Sequence, residues 1–402
     1  MTAVRFLGPD TDAYVASVER HAGEFEERTG LELDIRIIPS DEYFSNKIHH
    51  LLEGENAADV YMSGPVLLWE HVAAGYVEPL DDYTVGSDVD DFVDRLLDSN
   101  RWSGRFGDPL GDGPLLEIPV NCESYNLAYV PEVLDAAGLT VPTTWAEYFD
   151  TARAAVRSGG VRGFAQRGTD AWHTMYTGFA TQLWSYRGAD FENGRCAIAD
   201  PVAVHATSEF IDALRDAGPT DWLDQRWYEL ALDFARGRYA LIVDSDHYVA
   251  YFEEPATSEL VGRIGYAPPP VGPTGLRRPN LWTWSLVMNT RAADKQAAWR
   301  FIEWASSREF LLCSVFEGNM NPTRTSIWDD ERFRTHTAGW GSFYEVARRL
   351  VEDDAFVLVT PVANYLEIAR RWVQALLDAY AGRADVAGAL QAAAADIDAL
   401  VR

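Results

Sequence analysis

Lysine is nearly missing from this chain of 402 residues: Lys47 and Lys295 are the only two, and arginine supplies every other basic side chain. A GC-rich genome explains that skew. Basic residues as a class are also scarce, 34 against 62 acidic ones for a formal charge of −28, and such a surface repels phosphate backbones instead of recruiting them. Nucleic acid is thereby excluded as a partner. A densely carboxylated surface fits a high-salt habitat and fits a merely acidic protein equally well. Cysteine is sparse: Cys122, Cys196 and Cys313 are widely spaced with no C-x-x-C pair, which offers neither a zinc knuckle nor a redox motif. Three thiols also argue against a fully disulfide-bonded framework, and small buried hydrophobes are the expectation. No apolar run approaches the ~20 residues needed to cross a bilayer.

Motifs of catalysis are missing as well. The sequence holds no G-x-S-x-G elbow, H-E-x-x-H helix, Walker A loop or G-x-G-x-x-G turn, so the common motif-bearing enzyme classes find no support. The eight histidines are scattered, and the one adjacent pair, His49-His50, falls on an expected helix where neighbours point apart. Asp10-Thr11-Asp12 and Asp244-Ser245-Asp246 lack the glycine and bidentate glutamate of a calcium loop. Helix capping is the reading for the first; sugar hydroxyl binding and capping are equally open for the second. The N-terminus lacks the basic-then-apolar signature of a signal peptide, so an exported protein would have lost its leader from this sequence. No metal and no cofactor are expected.

What is present is an alternation of strands and helices. Val4 to Leu7 reads as a strand, Val15, Val18, Ala22 and Phe25 as one apolar helix face, and Leu31, Leu33, Ile35 and Ile37 as the alternating side of a second strand. This β-α-β unit predicts a doubly wound α/β lobe. A helix is expected over Tyr43 to Leu52, then a strand from Ala58 to Met62 ending at Ser63-Gly64-Pro65. Thr144 and Glu147 form a capping box ahead of a helix through Ala155. Ala240 to Val243 reads as a buried strand that delivers Asp244-Ser245-Asp246 to its carboxyl edge. Ala298, Phe301, Ile302 and Ala305 mark one amphipathic helix, Tyr365, Ile368, Ala369 and Trp372 another, and Val386 to Val401 an Ala-rich last helix.

At this length two lobes are expected, each with its own core. Extended stretches at Leu115 to Asn121, Gly265 to Val271 and Gly318 to Arg324 are the candidate crossings, three strands of a hinge suited to a clamp. Fourteen tryptophans are many for such a chain. Aromatic faces pack on the C–H surfaces of sugars and polyols while carboxylates, amides and arginines take the hydroxyls. Most tryptophans in any protein are core, and Trp299, Trp304 and Trp372 are expected only to pack.

Several segments together resemble the family-1 extracellular solute-binding proteins, the maltose-binding-protein-like group of ABC importers. They are Ala57-Ala58-Asp59-Val60-Tyr61; Gly75-Tyr76-Val77-Glu78-Pro79-Leu80-Asp81-Asp82-Tyr83; Ile118-Pro119-Val120-Asn121 on to Tyr129; Ala137-Gly138-Leu139 with Pro142-Thr143-Thr144-Trp145-Ala146-Glu147; Ala297 to Ala305; and Asn321-Pro322-Thr323-Arg324. Gln166-Arg167-Gly168, Val243-Asp244, Gly265-Tyr266-Ala267-Pro268 and Trp284-Ser285-Leu286 look closest to importers of sorbitol, mannitol and related polyols. Tyr186-Arg187-Gly188, where a glycine pair is more usual, departs from the pattern.

The resemblance implies a two-lobed periplasmic-binding-protein fold of type II-like organisation, each lobe a sheet flanked by helices with three hinge crossings: lobe 1 from 1–119 plus 266–316, lobe 2 from 120–265 plus 317–402. It implies a monomer outside the cytoplasm that captures a carbohydrate or sugar alcohol by lobe closure, performs no chemistry, and delivers its ligand to membrane permease subunits. Carried over by motif, the binding residues are Ser63, Gly64, Trp69, Asn121, Glu123, Trp282, Trp284, Asn319, Asn321 and Arg324 on lobe 1 and the crossings, with Arg167, Trp172, Tyr176, Asp244, Asp246 and Tyr248 on lobe 2. Two alternatives stand beside this reading. A glycosidase needs two carboxylates roughly 5 to 10 Å apart, and the acidic residues leave room for such a pair. A sensor subunit would pass its sugar to a membrane receptor instead.

Overall fold

The expected opening unit forms as Ala3–Pro9, Ala13–Thr29 and Glu32–Ile38 in the computed structural model, the two strands pairing in parallel from Ala3 opposite Glu32 to Pro9 opposite Ile38. The structure describes residues 3–10, 12–44 and 47–401, and the backbone alone at 41 and 47. Thr11 and part of the helix expected over Tyr43 to Leu52 therefore lie outside the described residues; a short helix at Ser40–Tyr43 and a 3-10 turn at Lys47–Leu51 flank that gap. Asp12 caps the first long helix, its Oδ1 accepting from the backbone N–H of Tyr14 at 2.8 Å and of Val15 at 3.1 Å, donors the first turn cannot satisfy internally. Gly30 stops that helix at φ 69°, a left-handed conformation open to glycine without steric penalty. Val15, Val18 and Phe25 are buried and Ala22 is half-buried. The alternation in Glu32–Ile38 fades towards its end, with Ile38 buried and Ile37 exposed. This strand is the last in its sheet order and has a strand neighbour on one side.

The chain divides into two compact units. Met1–Glu123, Trp282–His336 and Pro361–Ala363 make unit 1; Ser124–Leu281, Thr337–Thr360 and Asn364–Arg402 make unit 2. The sheet of unit 1 runs Glu32–Ile38, Ala3–Pro9, Val60–Ser63, Leu281–Met288, with the last strand antiparallel to its neighbour and Ser285 facing Ser63. In unit 2 the Tyr239–Ser245 strand is buried along its whole length, as its apolar run predicts. It pairs in parallel with Arg162–Ala165 and antiparallel with the Tyr125–Tyr129 half of Ile118–Tyr129. The Thr144–Glu147 capping box is formed at the head of the Trp145–Ser158 helix. Trp372 lies in the apolar face of Tyr365–Tyr380, which packs with the closing helix Val386–Leu400.

These units differ from the expected lobes at every boundary: the first falls after Glu123 instead of residue 119, Pro361–Ala363 joins unit 1, and two longer segments change sides. Gly265–Ala267 pairs with Leu127–Tyr129, and Val271 bridges to Thr144, so backbone hydrogen bonds hold the proline run with unit 2 up to Leu281. Residues 317–336 stay with unit 1 because Arg324 is buried in it. Its Nε donates to the Ser306 carbonyl at 2.9 Å, and its terminal nitrogens reach Asp88 and Asp91 at 3.0 and 3.2 Å. The guanidinium also lies 4.1 Å above the Phe92 ring, a cation–π arrangement.

A polar seam runs through the interior of unit 1. Thr283 Oγ1 donates to Asn100 Oδ1, and Asn100 Nδ2 donates to Ser285 Oγ, both at 3.0 Å. Burial pushes the neighbouring Glu117 carboxyl up to about 8, with Ser285 acting in the opposite direction. His71, enclosed by Tyr61 and His49, is held down to about 3, first by burial and then by the charge of His49. The two groups set opposite pH limbs. Below its ordinary 6.5 the unfolded His71 binds a proton that the folded chain refuses, so its contribution to stability falls as pH drops toward about 3. Between 4.5 and about 8 the folded chain keeps a Glu117 proton that the unfolded chain has released, so that contribution falls as pH rises. Replacing Glu117 by glutamine removes the second limb. Urea midpoints should therefore move in favour of Glu117→Gln, relative to the parent, by up to about 1.4 kcal/mol per pH unit from roughly pH 5 to 8; a difference constant with pH would contradict the assignment.

Candidate functional site

Successive side chains on a strand point to opposite faces, and in Leu281–Met288 this separates two chemistries. Thr283 and Ser285 turn to Asn100, while Trp282 and Trp284 share the other face with ring centroids 5.4 Å apart. Trp284 is half-buried, packs on Phe44 at 5.2 Å, and donates its indole N–H to Glu123 Oε1 at 2.7 Å. The result in unit 1 is an aromatic wall with a carboxylate fixed to its edge. Gly64 belongs to the same wall: a Cβ there would sit 2.7 to 2.9 Å from three atoms of the Trp282 indole, so the ring occupies the space that any other residue would need.

The remaining expected residues of unit 1 have distinct surroundings. Ser63 ends the Val60–Ser63 strand and is buried. Asn121 is buried with no hydrogen-bond partner for its Oδ1 among the described residues, an acceptor that normally finds a donor when buried. Asn321 Nδ2 donates to the Cys122 carbonyl at 3.3 Å. Trp69 is buried on the Pro65–Ala73 helix with its ring 6.2 Å from Trp102. Two residues are employed differently from expectation. Arg324 is committed to Ser306, Asp88 and Asp91, as described above, because a buried guanidinium requires acceptors on every side. Asn319 ends the Arg308–Gly318 helix at φ 49°, and its Oδ1 accepts from His336 Nε2 at 2.8 Å; the left-handed end is the capping geometry that asparagine tolerates best after glycine.

In unit 2, Arg162–Ala165 and Tyr239–Ser245 are parallel neighbours with Ala165 opposite Ile242, so the residues that follow the first strand emerge beside the carboxyl end of the second. That is why Arg167 meets Asp244. Nε donates to Oδ2 at 3.0 Å and Nη2 to Oδ1 at 2.6 Å, a two-point pairing that fixes both groups. Burial works against the Arg167 charge, yet Asp244 and then Tyr248 and Tyr125 hold it protonated well above its ordinary range. The guanidinium lies 5.4 Å from the Tyr248 ring centroid. Asp246 accepts from the Ser124 backbone N–H at 2.9 Å and from the Ser124 hydroxyl. Ser245, not either aspartate, caps the following turn through His247 N–H at 3.1 Å.

Arg167 is aimed by its own backbone: Trp222 Nε1 donates to the Arg167 carbonyl at 2.6 Å. A Cβ on Gly168 would fall 1.5 Å from the Trp222 carbonyl oxygen, so only glycine permits this approach. Trp172 and Tyr176 stand one turn apart on a 3-10 segment with centroids at 5.6 Å, and Tyr176 packs towards Tyr365 at 6.2 Å. Trp172 is half-buried and Tyr176 buried.

Sequence reasoning missed Phe44 and His173. Phe44 follows a four-residue helix and carries no periodic signal. His173 adjoins Trp172, with ring centroids 5.6 Å apart, and burial followed by the nearby Arg167 charge holds it down to about 3, so it is neutral throughout the physiological range. Its adjacency to an expected aromatic contact was the available signal. Among the described residues no helix is long and apolar enough to span a membrane.

Comparison with known proteins agrees with this fold. The sequence profile of the bacterial extracellular solute-binding proteins matches residues 8–310. The erythritol/L-threitol-binding protein of Mycolicibacterium smegmatis is 29% identical over 384 residues, covering 92% of this chain and 80% of that protein. The solved structure of an ABC transporter solute-binding protein from Agrobacterium radiobacter K84, in complex with ribitol, superposes with a TM-score of 0.86 at 22% identity over 99% of this chain and 98% of the other. A second, from Agrobacterium vitis S4 with bound D-mannitol, gives 0.81 at 19% identity over 98% and 97%.

The burial of Arg324 makes a direct prediction. Arg324→Ala should lower unfolding stability by roughly 2–5 kcal/mol, the range for emptying a large buried site, measured by urea denaturation. Arg324→Lys should restore little of it, because an ammonium lacks the planar fork that reaches Ser306, Asp88 and Asp91 together. A loss below about 0.5 kcal/mol, typical of an unremarkable surface change, would refute the anchoring role.

Proposed function

The chain belongs to the bacterial extracellular solute-binding protein family, and from that premise we propose that it captures an acyclic sugar alcohol of four to six carbons for an ABC importer. The observation that carries the proposal is the pairing of an aromatic wall with fixed polar groups. Trp284, Trp282 and Phe44 offer flat apolar faces, Glu123 sits at the wall's edge, and Arg167 and Asp244 are locked as a pair in unit 2. An extended polyol presents C–H groups along its carbon chain and a hydroxyl on every carbon. The rings cover the former by contact, and charged acceptors and donors take the latter, each charge-assisted hydrogen bond being stronger than a neutral one. Asn121 Oδ1 supplies one more acceptor for a hydroxyl. The ligands named for the relatives, erythritol or L-threitol, ribitol and D-mannitol, support the same class and set the proposed size range.

Ser63, Gly64, Trp69, Asn121, Glu123, Trp282, Trp284 and Asn321 form the proposed contribution of unit 1, and Arg167, Trp172, Tyr176, Asp244, Asp246 and Tyr248 that of unit 2. Arg324 and Asn319 support the loop that carries Asn321. A bound ligand favours whichever state of the protein holds it more tightly, by the difference in its affinity for the two. Release to permease subunits at the outer face of the membrane is the corresponding delivery step, and the protein acts as a monomer. The family consists of binding proteins, and we extend this to the absence of catalysis here.

Isothermal titration with erythritol, L-threitol, ribitol, D-mannitol, D-sorbitol and maltose tests the ligand class. Heat should appear with one or more of the acyclic polyols and be weaker or missing with maltose. Trp284→Ala should weaken the best ligand about tenfold or more, ~1.4 kcal/mol, and Asp244→Asn should do so by ~1.5–3 kcal/mol, the value of a hydrogen bond to a charged group. No heat with any polyol or sugar would overturn the proposal, and turnover of aryl glycosides would replace it with an enzyme.

A further inference from the structure

Outside the groups described so far, the face between Ala13–Thr29 and Arg308–Gly318 in unit 1 brings together three side chains of different chemistry. His21 Nε2 lies 2.9 Å from Glu317 Oε1, Cys313 Sγ lies 3.5 Å from His21 Nε2, and Cys313 Sγ lies 3.6 Å from Glu317 Oε1. One ligand atom from each lies within 4.8 Å of the other two. Tetrahedral zinc, with bonds of about 2.3 Å to sulfur and about 2.0 Å to nitrogen or oxygen, separates a sulfur from a nitrogen or oxygen ligand by about 3.5 Å. It separates a nitrogen from an oxygen ligand by about 3.3 Å. Both edges from the sulfur already have these lengths, and the third needs to open by a few tenths of an ångström.

Neighbouring groups orient each of the three. The other ring nitrogen of His21, Nδ1, lies 3.5 Å from Glu24 Oε1, a carboxylate placed to hold the proton on Nδ1 once a metal ion replaces the one on Nε2. Glu317 Oε2 accepts from Ser17 Oγ at 2.6 Å and pairs with Arg20, so Oε1 is the oxygen turned to the cluster. The His21 ring stands edge-on to Phe310, with centroids 6.1 Å apart. His21 and Glu317 are about one-fifth exposed, at 21% and 23%, which leaves an entry path for an ion.

We propose that Cys313, His21 and Glu317 form a zinc(II) site that ties the first long helix of unit 1 to Arg308–Gly318, with water completing the fourth position. Thiolate, imidazole and carboxylate together suit zinc, whereas an all-oxygen set would suit calcium or magnesium. Zinc bonding at this point is independent of polyol capture, because none of its residues belongs to the proposed ligand set.

The test uses chelator-treated, reduced, full-length protein titrated with Zn²⁺ against a chromophoric chelator, and in parallel with Co²⁺ followed by absorbance. One equivalent of Zn²⁺ should bind, and Co²⁺ should give a thiolate-to-metal charge-transfer band in the near ultraviolet. Cys313→Ser should abolish the band and weaken Zn²⁺ at least tenfold, and His21→Ala should weaken Zn²⁺ to the same degree. Glu24→Gln should keep the band while weakening the ion less than either. Circular dichroism and unchanged polyol titration of each variant show that the fold has survived. Equal Zn²⁺ affinity of parent and Cys313→Ser, or a Co²⁺ complex without a thiolate band, overturns the proposal; the polyol titrations are unaffected by either result.

Discussion

Alternation along one strand is the constraint from which most of unit 1 follows. A residue in Leu281–Met288 cannot serve both faces, so the chain assigns hydroxyls to one and indoles to the other. Thr283 and Ser285 complete the hydrogen bonds of Asn100 in the interior. The same geometry then obliges Trp282 and Trp284 to stand together, 5.4 Å apart, on the opposite side. Shifting the strand by one residue would bury the indoles against Asn100 and turn the hydroxyls outward, losing both arrangements at once. The antiparallel register with Val60–Ser63, which sets Ser285 opposite Ser63, is thus as much a requirement of the aromatic wall as of the sheet.

Unit 2 reaches a comparable result from parallel pairing. Two neighbouring strands that run the same way bring their carboxyl ends to the same edge, and Arg167 and Asp244 meet there across 77 positions of sequence. A charge at 2% exposure survives only with a partner, and here each supplies the other. The backbone is held to match: Trp222 donates to the Arg167 carbonyl while Gly168 lets its own carbonyl come close. The guanidinium is therefore positioned from two directions, by a carboxylate in front and by a peptide group behind.

How much of this was legible in the sequence depended on how local the cause was. Asp12, Gly30, the Thr144–Glu147 box and the first strand–helix–strand unit were legible because caps and periodicity act within a few residues. The two-tryptophan face was legible as well, since period two needs only the strand. The unit boundaries were not. Whether residues 317–336 join one unit or the other is decided by Arg324 reaching Asp88 across 236 positions, and no local pattern records that choice. Asn319, expected as a binding residue, ends the Arg308–Gly318 helix, a local signal that the motif match passed over. His21 and Cys313 are 292 positions apart, and spacing rules for metal ligands see only near neighbours.

The contact between Gly64 and the Trp282 indole links two positions that sequence separates by more than half the chain. Evolution or engineering that trims the ring leaves a hollow beside a residue with no side chain to fill it, and adding a side chain first evicts the ring. Neither single step is neutral. Change at this pair therefore runs across a valley in stability, and related proteins that have crossed it should carry both changes together, a small aromatic or aliphatic residue at one position with alanine or serine at the other.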